Sequence, residues 1–188
     1  MFKDIVRLGL ILFAISAFFT GILAWVNSVT LPQINKLKAE DAINTRKELM
    51  PAAKTFEEKK CAADTSFVYY AALDDKGEVL GYSFIAAKTG YSSLISTMVV
   101  LDKDFNITNL KVISQNETPG LGTHSQDKDF PAKFKGMNAE TLKVDKDGGP
   151  VKSITGATIT TRAITNSIRD AILLVKTDLA ASGKGGAQ

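Results

Sequence analysis

The sequence predicts an α+β protein in which a single N-terminal transmembrane helix is followed by a soluble domain, a twisted antiparallel sheet flanked by helices. Three features of the 188-residue chain support this fold class. The chain opens with a long run without charged residues, continues with four strand-like segments joined by short turns, and closes with a helix-like segment. Strands and helices do not alternate, and no glycine-rich strand–helix turn occurs, which excludes a Rossmann or flavodoxin unit.

An uncharged segment at residues 8–26 predicts the membrane helix. As a helix it would cover roughly 28 Å at about 1.5 Å per residue, close to the hydrocarbon thickness of a bilayer. Trp25 at its end suits the membrane interface. The alternative is a cleaved signal peptide with Lys3 and Arg7 as its charged start. The run is long for such a peptide and no small-x-small cleavage site follows it, so we expect a retained anchor within residues 1–29.

The rest of the chain divides into a stalk, a domain and a tail. Residues 30–50 have a partly helical rhythm that stops at Pro51, and we interpret them as a helical stalk. The soluble domain is expected over residues 51–182. A flexible, glycine-rich tail is expected at residues 183–188.

The predicted elements of the domain follow from turn composition and apolar periodicity. We assign no structure to residues 51–66. A short helix is expected at Pro131 to Phe134, after the last of the strands. The four predicted strands are residues 67–73, 79–87, 94–101 and 107–114. The final helix carries apolar residues at intervals of three and four, which are Ile164, Ile168, Ile172, Val175 and Leu179.

Composition excludes several classes of function. The net charge is only +3 and the charges are interspersed, so no nucleic-acid surface is indicated. With one cysteine and one histidine, the chain alone can form neither an internal disulfide nor a common zinc or iron–sulfur site, and we predict no metal ligands. We interpret Cys61 as a structural thiol, with a cluster ligand shared with another chain as the alternative. His124 is interpreted as a solvated loop residue.

The six residues Thr-Gly-Ala-Thr-Ile-Thr at positions 155–160 carry the most specific chemistry. The small Gly156 and Ala157 leave room for a phosphate beside a threonine hydroxyl. A phosphoryl group on Thr158 would lie near a helix N-terminus, where unpaired N–H groups and the helix dipole favour an anion. The alternative is that these threonines only cap the helix.

A second unusual stretch is the loop at residues 117–123, Glu-Thr-Pro-Gly-Leu-Gly-Thr. Pro119 followed by Gly120 fits the central positions of a type II turn, and Gly122 permits a further close approach of the backbone. Taken alone, this loop is typical of an ordinary turn. The pair Gly90-Tyr91 lies between two predicted strands, and the Tyr91 ring could line a pocket or pack at the edge of the core.

Together these stretches resemble the FMN-binding domain family shared by the G subunit of the Rnf electron transport complex and the C subunit of the sodium-translocating NADH:quinone reductase. Residues 155–160 are similar to the family's flavinylation motif, in which the last threonine of the tetrad, here Thr158, carries FMN through its phosphate. The loop at 117–122 resembles the one that the family places beside the flavin, and Gly90-Tyr91 resembles the family's Gly-Tyr turn. The family often has an aspartate where this chain has Lys152.

The resemblance implies a membrane-anchored electron-transfer subunit with covalent FMN and no catalytic residue acting on a soluble substrate. Electrons would pass from iron–sulfur centres through this FMN to flavin in the D subunit, in a complex that couples NADH and ferredoxin redox chemistry to ion movement. The implied partners are the other Rnf subunits, especially D, A and E, and a separate flavin transferase that uses FAD and a metal ion. Besides Thr158, the implied cofactor-binding residues are Gly90, Tyr91, Glu117, Thr118, Gly120, Leu121, Gly122, Thr155, Gly156, Ala157, Ile159 and Thr160.

The same resemblance, with the short N-terminal tail, favours an N-terminus in the cytoplasm and a domain on the outer, extracellular or periplasmic, face of the cell (inner) membrane. Three other functions stay open. The chain could be a stand-alone membrane-tethered FMN protein for extracellular electron transfer, which would purify without partners. It could be the C subunit of the quinone reductase, although it is short and lacks a larger insertion-rich soluble region. It could also be a non-redox structural membrane protein, which would be colourless.

Overall fold

The computed structural model describes residues 2–62 and 64–184, and its first element is a long helix. Helix α1, Phe2–Leu49, contributes its residues up to Ile43 to a unit of their own. The side chains of residues 2–41 are all exposed, so this part of α1 is not a core helix of a soluble protein. The helix is long and apolar enough to cross a membrane. Because so large an apolar surface is unfavourable in water, it requires a bilayer or partner helices around it.

The helix has no break between the predicted anchor and the predicted stalk. It continues through Pro32 and ends at Leu49, just before Pro51, whose ring cannot continue it. The boundary at residue 30 therefore stays a prediction. At the other end of the chain, the final helix extends to Lys184 and includes the first two residues of the predicted tail. Residues 185–188 of that tail lie outside the described residues.

The second unit, from Asn44 onward, is built on a five-stranded antiparallel sheet. Each strand pairs with the next along the chain, giving the spatial order β1-β2-β3-β4-β5 and confirming the predicted meander. The strands are β1 (Thr55–Lys60), β2 (Val68–Leu73), β3 (Val79–Thr89), β4 (Leu94–Asp102) and β5 (Ile107–Ser114). The last four match the predicted strands within one or two residues.

Strand β1 was not predicted, and its composition explains why. Its sequence Thr-Phe-Glu-Glu-Lys-Lys has a single large apolar residue, Phe56, and most of its side chains are exposed. Charged residues are a common way to protect the edge of a sheet from pairing with other chains. The strand is therefore held by its pairing with β2, which no apolar periodicity in its own sequence reports.

Helix α2, Thr158–Lys184, covers one face of the sheet. The predicted apolar stripe is confirmed, because four of its five residues are buried and Leu179 packs partly buried beside them. They meet the inward side chains of the sheet, among them Phe84, Val99 and Leu101. Burying each such side chain stabilises the fold by about 1.5–3 kcal/mol.

The other face of the sheet receives side chains from the last turn of α1. Arg46 is buried, with its guanidinium 3.5 Å from the ring centroid of Tyr70 and 5.6 Å from that of Phe56. Glu48 pairs with Lys111 of β5 at 2.8 Å. These contacts attach the end of the helix to the sheet.

The connection from β5 to α2 contains three short 3-10 helices, at Gly122–Gln126, Pro131–Phe134 and Asp145–Asp147. The second confirms the predicted short helix, and Phe134 from it is fully buried in the core. This connection carries the loop at 117–122 to the start of α2, where the two motifs of the sequence meet.

Candidate functional site

The two motifs border one cavity of about 480 Å³, which we call the first cavity. This volume is within the range of roughly 300–1,000 Å³ that is usual for small-molecule sites. Three segments form its walls: the turn after β3, the loop after β5 and the start of α2. The lining residues are Tyr91, Glu117, Thr118, Leu121, Gly122, Gly156, Ala157, Thr158, Ile159 and Thr160.

A second cavity of about 530 Å³ adjoins the first, and Leu121 lines both. Its walls are more polar because several charged side chains surround it. It is lined by Gly120, Leu121, His124, Asp127, Asp129, Phe130, Lys133, Ser153, Ile154 and Thr155.

Two glycines set the shape of the wall between the cavities. Gly156 has a φ of +75°, a conformation that side-chain-bearing residues rarely adopt. A Cβ at Gly156 would also lie 2.9 Å from Cδ2 of Leu121, so the leucine packs directly on the motif. Gly120 likewise has a positive φ of 74°, as position i+2 of the expected type II turn requires.

Helix α2 begins at Thr158, and the threonines around this start differ in what their hydroxyls do. The carbonyl of Ala157 accepts the backbone N–H of Thr161 at 3.0 Å, which makes Ala157 the N-cap and Thr158 the first helical residue. Thr160 and Thr161 are buried, and both donate hydrogen bonds through their hydroxyls. Among the hydrogen bonds of the described residues, none engages the hydroxyl of Thr158 or of Thr155.

The Thr161 hydroxyl secures the entry to the helix from both sides. It donates to the carbonyl oxygen of Ala157 at 3.1 Å and accepts the backbone N–H of Ile154 at the same distance. The chain from Ile154 to Thr161 is therefore closed on itself, and Thr158 lies half-exposed at the outside of this closed turn.

Glu117 is the most heavily hydrogen-bonded side chain of the first cavity. It is 4% exposed, and one of its oxygens accepts the Thr160 hydroxyl at 2.6 Å. The backbone N–H groups of Tyr91, Ser92 and Ser93 donate to the same carboxylate at 3.1, 3.0 and 2.9 Å. The Ser93 hydroxyl donates to it as well, at 3.1 Å, whereas the Ser92 hydroxyl donates to the carbonyl oxygen of Asn116 at 2.9 Å.

These hydrogen bonds decide the charge of Glu117. Burial raises its pKa, but the Thr160 hydroxyl and the N–H groups of Ser92, Tyr91 and Ser93 outweigh burial and lower the pKa from 4.5 to about 2. The carboxylate is therefore ionised at every physiological pH. Among the ion pairs of the described residues, none includes Glu117.

The structure places all thirteen residues predicted for the site at or next to these two cavities. Ten of them form the lining of the first cavity. Gly120 and Thr155 line the second. Gly90 lies behind Glu117, where a Cβ would come within 2.9 Å of a carboxylate oxygen. Ser92 and Ser93, which bind Glu117, were not predicted, although two small hydroxyl residues after the Gly-Tyr pair were the available signal.

Two of the charged pairs near the site involve a basic side chain. Arg162 of α2 forms two hydrogen bonds of 2.8 Å with Asp147. His124 is exposed, as expected, but it lies in the first 3-10 helix rather than in a loop, 2.8 Å from Asp127. In the described part of the chain, no cluster of three or more His, Cys, Asp or Glu side chains could hold a metal ion. Cys61 is fully buried in the core.

The residues present fit FMN. The first cavity offers the apolar side chains of Tyr91, Leu121 and Ile159 for an aromatic ring system, and a helix N-terminus for a phosphate. The family model of the FMN-binding domain matches residues 90–173, which include all three walls of the cavity. Fold and site together thus define a protein of the FMN-binding domain class that carries a helix long and apolar enough to cross a membrane.

Comparison with curated proteins identifies the family. The chain is 30% identical to the G subunit of the ion-translocating oxidoreductase complex of Methanosarcina acetivorans, over 90% of this chain and 94% of the relative. It is 32% identical to the G subunit of the proton-translocating ferredoxin:NAD(+) oxidoreductase complex of Clostridium ljungdahlii, over 87% and 88%. It is also 32% identical to the G subunit of the Na(+)-translocating complex of Acetobacterium woodii, over 90% and 91%. The chain belongs to the family of G subunits of ion-translocating oxidoreductase complexes.

A solved structure is also similar. The crystal structure of the C subunit of the Na(+)-translocating NADH-quinone reductase from Parabacteroides distasonis matches 60% of this chain and 62% of its own, with a TM-score of 0.49 and 23% identity.

Proposed function

We propose that the protein relays electrons in an ion-translocating ferredoxin:NAD oxidoreductase complex of the Rnf type, through FMN attached by its phosphate to Thr158. The observation that carries this proposal is the state of one hydroxyl. Thr158 lines the first cavity at the N-terminus of α2, and its hydroxyl is not engaged by the hydrogen bonds of the described residues.

The neighbouring threonines are less suitable acceptors. Thr160 shares the cavity, but it is buried and its hydroxyl donates to Glu117 at 2.6 Å. Thr161 is buried and bound to the carbonyl of Ala157. Thr155 is exposed, but it lies before the helix and lines the second cavity. Among these four threonines, Thr158 alone combines an unengaged hydroxyl, the first helical position and the wall of the first cavity.

The position of Thr158 also suits the charge of a phosphodiester. The first N–H groups of an α-helix have no partner inside the helix, and the helix dipole adds a partial positive charge there. Arg162 is held by Asp147, so the N–H groups rather than a free cation are the main favourable contacts for the phosphate. A phosphate on Thr158 would therefore be stabilised without any further basic residue.

The attachment reaction is balanced with FAD as the donor. The Thr158 oxygen forms a bond to the phosphorus of the FMN half, the anhydride bond between the two FAD phosphates breaks, AMP leaves, and the hydroxyl proton is released. The proposed catalyst is a separate flavin transferase with a metal ion. When bound, FMN supplies the redox chemistry, while the protein sets the position, solvent exposure and electrostatics of the ring.

The proposed partners are the other Rnf subunits, especially D, A and E. We place the N-terminus in the cytoplasm and the domain on the outer face of the cell membrane, with the anchor at residues 1–29, the stalk at 30–50 and the FMN-binding domain at 51–182. The names of the relatives, G subunits of ion-translocating complexes, support the assignment to a complex. The long exposed apolar helix supports the anchor.

The test is to express the full chain with a flavin transferase and compare Thr158→Val with Thr155→Val and Thr160→Val. In-gel flavin fluorescence after denaturing electrophoresis and intact mass measure attachment. We expect wild type to fluoresce and to gain the mass of FMN less water, and Thr158→Val to lose both completely. Thr155→Val is the matched control in the same motif and should stay modified. A dark, unmodified wild type with an active transferase would leave Thr158 as a helix residue of a structural protein.

A further inference from the structure

We infer that Glu117 is the positioning residue of the flavin site: its carboxylate ties the walls of the first cavity together and fixes one negative charge beside the cofactor, without itself bonding to it. This inference rests on the proposed function, because it assigns a role within the same site. It replaces the simpler expectation that Glu117 binds the flavin directly.

The Glu117 carboxylate is already occupied by donors from the protein. An ionised carboxylate offers about four acceptor sites on its two oxygens. Glu117 accepts three backbone N–H groups and the hydroxyls of Thr160 and Ser93. All of these donors come from the protein. Its capacity is therefore filled before any donor on a flavin could reach it.

The donors to Glu117 come from different parts of the chain. Tyr91, Ser92 and Ser93 form the turn between β3 and β4, whereas Thr160 belongs to the first turn of α2. Glu117 itself follows β5. One side chain thus joins all three segments that line the cavity, and nothing else among the described hydrogen bonds links the turn at residues 91–93 to Thr160.

Gly122 of the site makes room for Glu117. A Cβ at Gly122 would lie 2.5 Å from the Cβ of Glu117 and 3.0 Å from Oγ1 of Thr160. Real Cβ atoms do not approach other atoms this closely, so this position needs glycine for Glu117 and its partner. A Cβ at Gly90 would lie 2.5 Å from Cδ1 of Ile95 and 2.9 Å from Oε1 of Glu117, so glycine there makes room for both side chains. Neither glycine has a positive φ that would explain it otherwise.

Glu117 also places a negative charge in the wall of the first cavity. Every donor to Glu117 is neutral, so its negative charge is dispersed over hydrogen bonds but not cancelled by a cation. A negative charge held in a partly dehydrated wall disfavours the addition of an electron to a nearby ring system. Glu117 should therefore lower the reduction potential of the bound flavin.

The experiment has one arm with flavin and one without, both on the full chain. The variants are Glu117→Gln, which keeps the size but loses the charge and one acceptor oxygen, and Glu117→Asp, which keeps the charge on a shorter stem. The matched control is Asp74→Asn. Asp74 also accepts backbone N–H groups in a turn, those of Lys76 and Glu78, but it lies before β3, whereas the cavity lies after it.

In the arm without transferase, amide hydrogen exchange measures the hydrogen bonds from the turn at residues 91–93 to Glu117. We expect the amides of residues 91–93 to exchange at least roughly tenfold faster in Glu117→Gln than in wild type, because they lose a charged acceptor. Asp74→Asn should leave their exchange unchanged. Unchanged exchange in Glu117→Gln would overturn the positioning role, whether or not flavin is ever attached.

In the arm with transferase, spectroelectrochemical titration reports the charge. We expect the flavin that is attached in Glu117→Gln to have a higher midpoint potential than in wild type, and Glu117→Asp to stay near wild type even where its flavin content falls. A potential in Glu117→Gln equal to that of wild type would overturn the electrostatic role. A wild type that carries no flavin would instead overturn the proposed function, and the exchange arm would still decide the positioning role.

Discussion

Among the residues that the structure describes, two buried carboxylates lie at helix α2, one near each end, and they differ in what surrounds them. Glu117 accepts the Thr160 hydroxyl of the first turn and backbone N–H groups, beside the first cavity. Asp178, on the helix itself, accepts the Tyr69 hydroxyl and the backbone N–H of Ala62, both at 2.7 Å. Asp178 lines neither of the two cavities.

The two carboxylates share the properties that are often used to find functional sites. Both are less than one-tenth exposed. Hydrogen bonds lower both pKa values, for Asp178 through the N–H of Ala62 first and then the Tyr69 hydroxyl. What distinguishes the Glu117 end is an adjacent cavity and a threonine hydroxyl left unused. Burial and a lowered pKa therefore identify a carboxylate whose hydrogen-bonding capacity is filled. A cavity beside a hydroxyl without a hydrogen-bond partner is what identifies the site.

The largest expected effect on stability is at Asp178, the buried carboxylate that lines neither cavity. Asp178→Ala leaves the buried Tyr69 hydroxyl without its acceptor and removes the acceptor of the Ala62 N–H, so we expect the free energy of unfolding to fall by roughly 2–3 kcal/mol. Flavin content per folded molecule should not change. Urea unfolding followed by near-ultraviolet circular dichroism measures this, since all four tyrosines lie in the sheet-bearing unit.

The milder variant Asp178→Asn serves as the control for this effect. It keeps one acceptor oxygen and should lose less stability than Asp178→Ala. A loss of flavin from the folded fraction of either variant would contradict the interpretation that Asp178 acts on stability alone and not on the flavin site.

The next largest effect is expected at Gly156, which lines the first cavity. Gly156→Ala forces a side chain into a left-handed conformation at about 1–2 kcal/mol and brings its Cβ against Leu121. We expect lower stability together with reduced flavin attachment. Gly148→Ala is a matched control, because Gly148 has a φ of +78° but open space around it. If both variants retain equal flavin, the contact between the new Cβ and Leu121 does not disturb the motif.

The sequence predicts this fold well wherever an element carries its own pattern. Strand alternation, turn composition and the apolar stripe of α2 are local signals, and each led to an element that the structure contains. Strand β1 escaped because its stability comes from pairing with β2. The apolar pattern within a segment cannot report backbone hydrogen bonds to a neighbouring strand.

The site divides in the same way. The residues that meet at the first cavity were predicted because two motifs resemble a known family. Their individual roles were not, because they depend on three-dimensional contacts. Gly90, Gly122 and Thr160 were expected to bind the cofactor, and that expectation stays a prediction. The structure adds that both glycines adjoin Glu117 and that the Thr160 hydroxyl donates to it.

A smaller effect on stability is expected from the protonation of Glu117 at low pH. Its pKa falls from 4.5 to about 2 on folding, so its ionised form stabilises the fold above pH 4.5 and this contribution is lost as the pH falls toward 2. The difference in unfolding free energy between wild type and Glu117→Gln should be constant from about pH 5 to 8 and shrink by roughly 1 kcal/mol at pH 4. Taking the difference cancels the titration of every group that the two proteins share. A difference that varies between pH 6 and 8 would mean that another group controls Glu117.

The smallest effect on stability is expected at Leu121. Substitution of this residue should affect only the flavin site at the first cavity. Leu121 is 41% exposed, so Leu121→Ala should cost less than about 1 kcal/mol, well below the cost for a buried leucine. Its removal opens the wall between the two cavities and admits water beside the ring, which favours the more charged reduced flavin. We therefore expect unchanged attachment with a raised midpoint potential or an altered transfer rate. Leu173→Ala, at a similarly exposed leucine on α2 that lines neither cavity, is the control. An unchanged potential and rate in Leu121→Ala would mean that the leucine packs on Gly156 without covering the flavin.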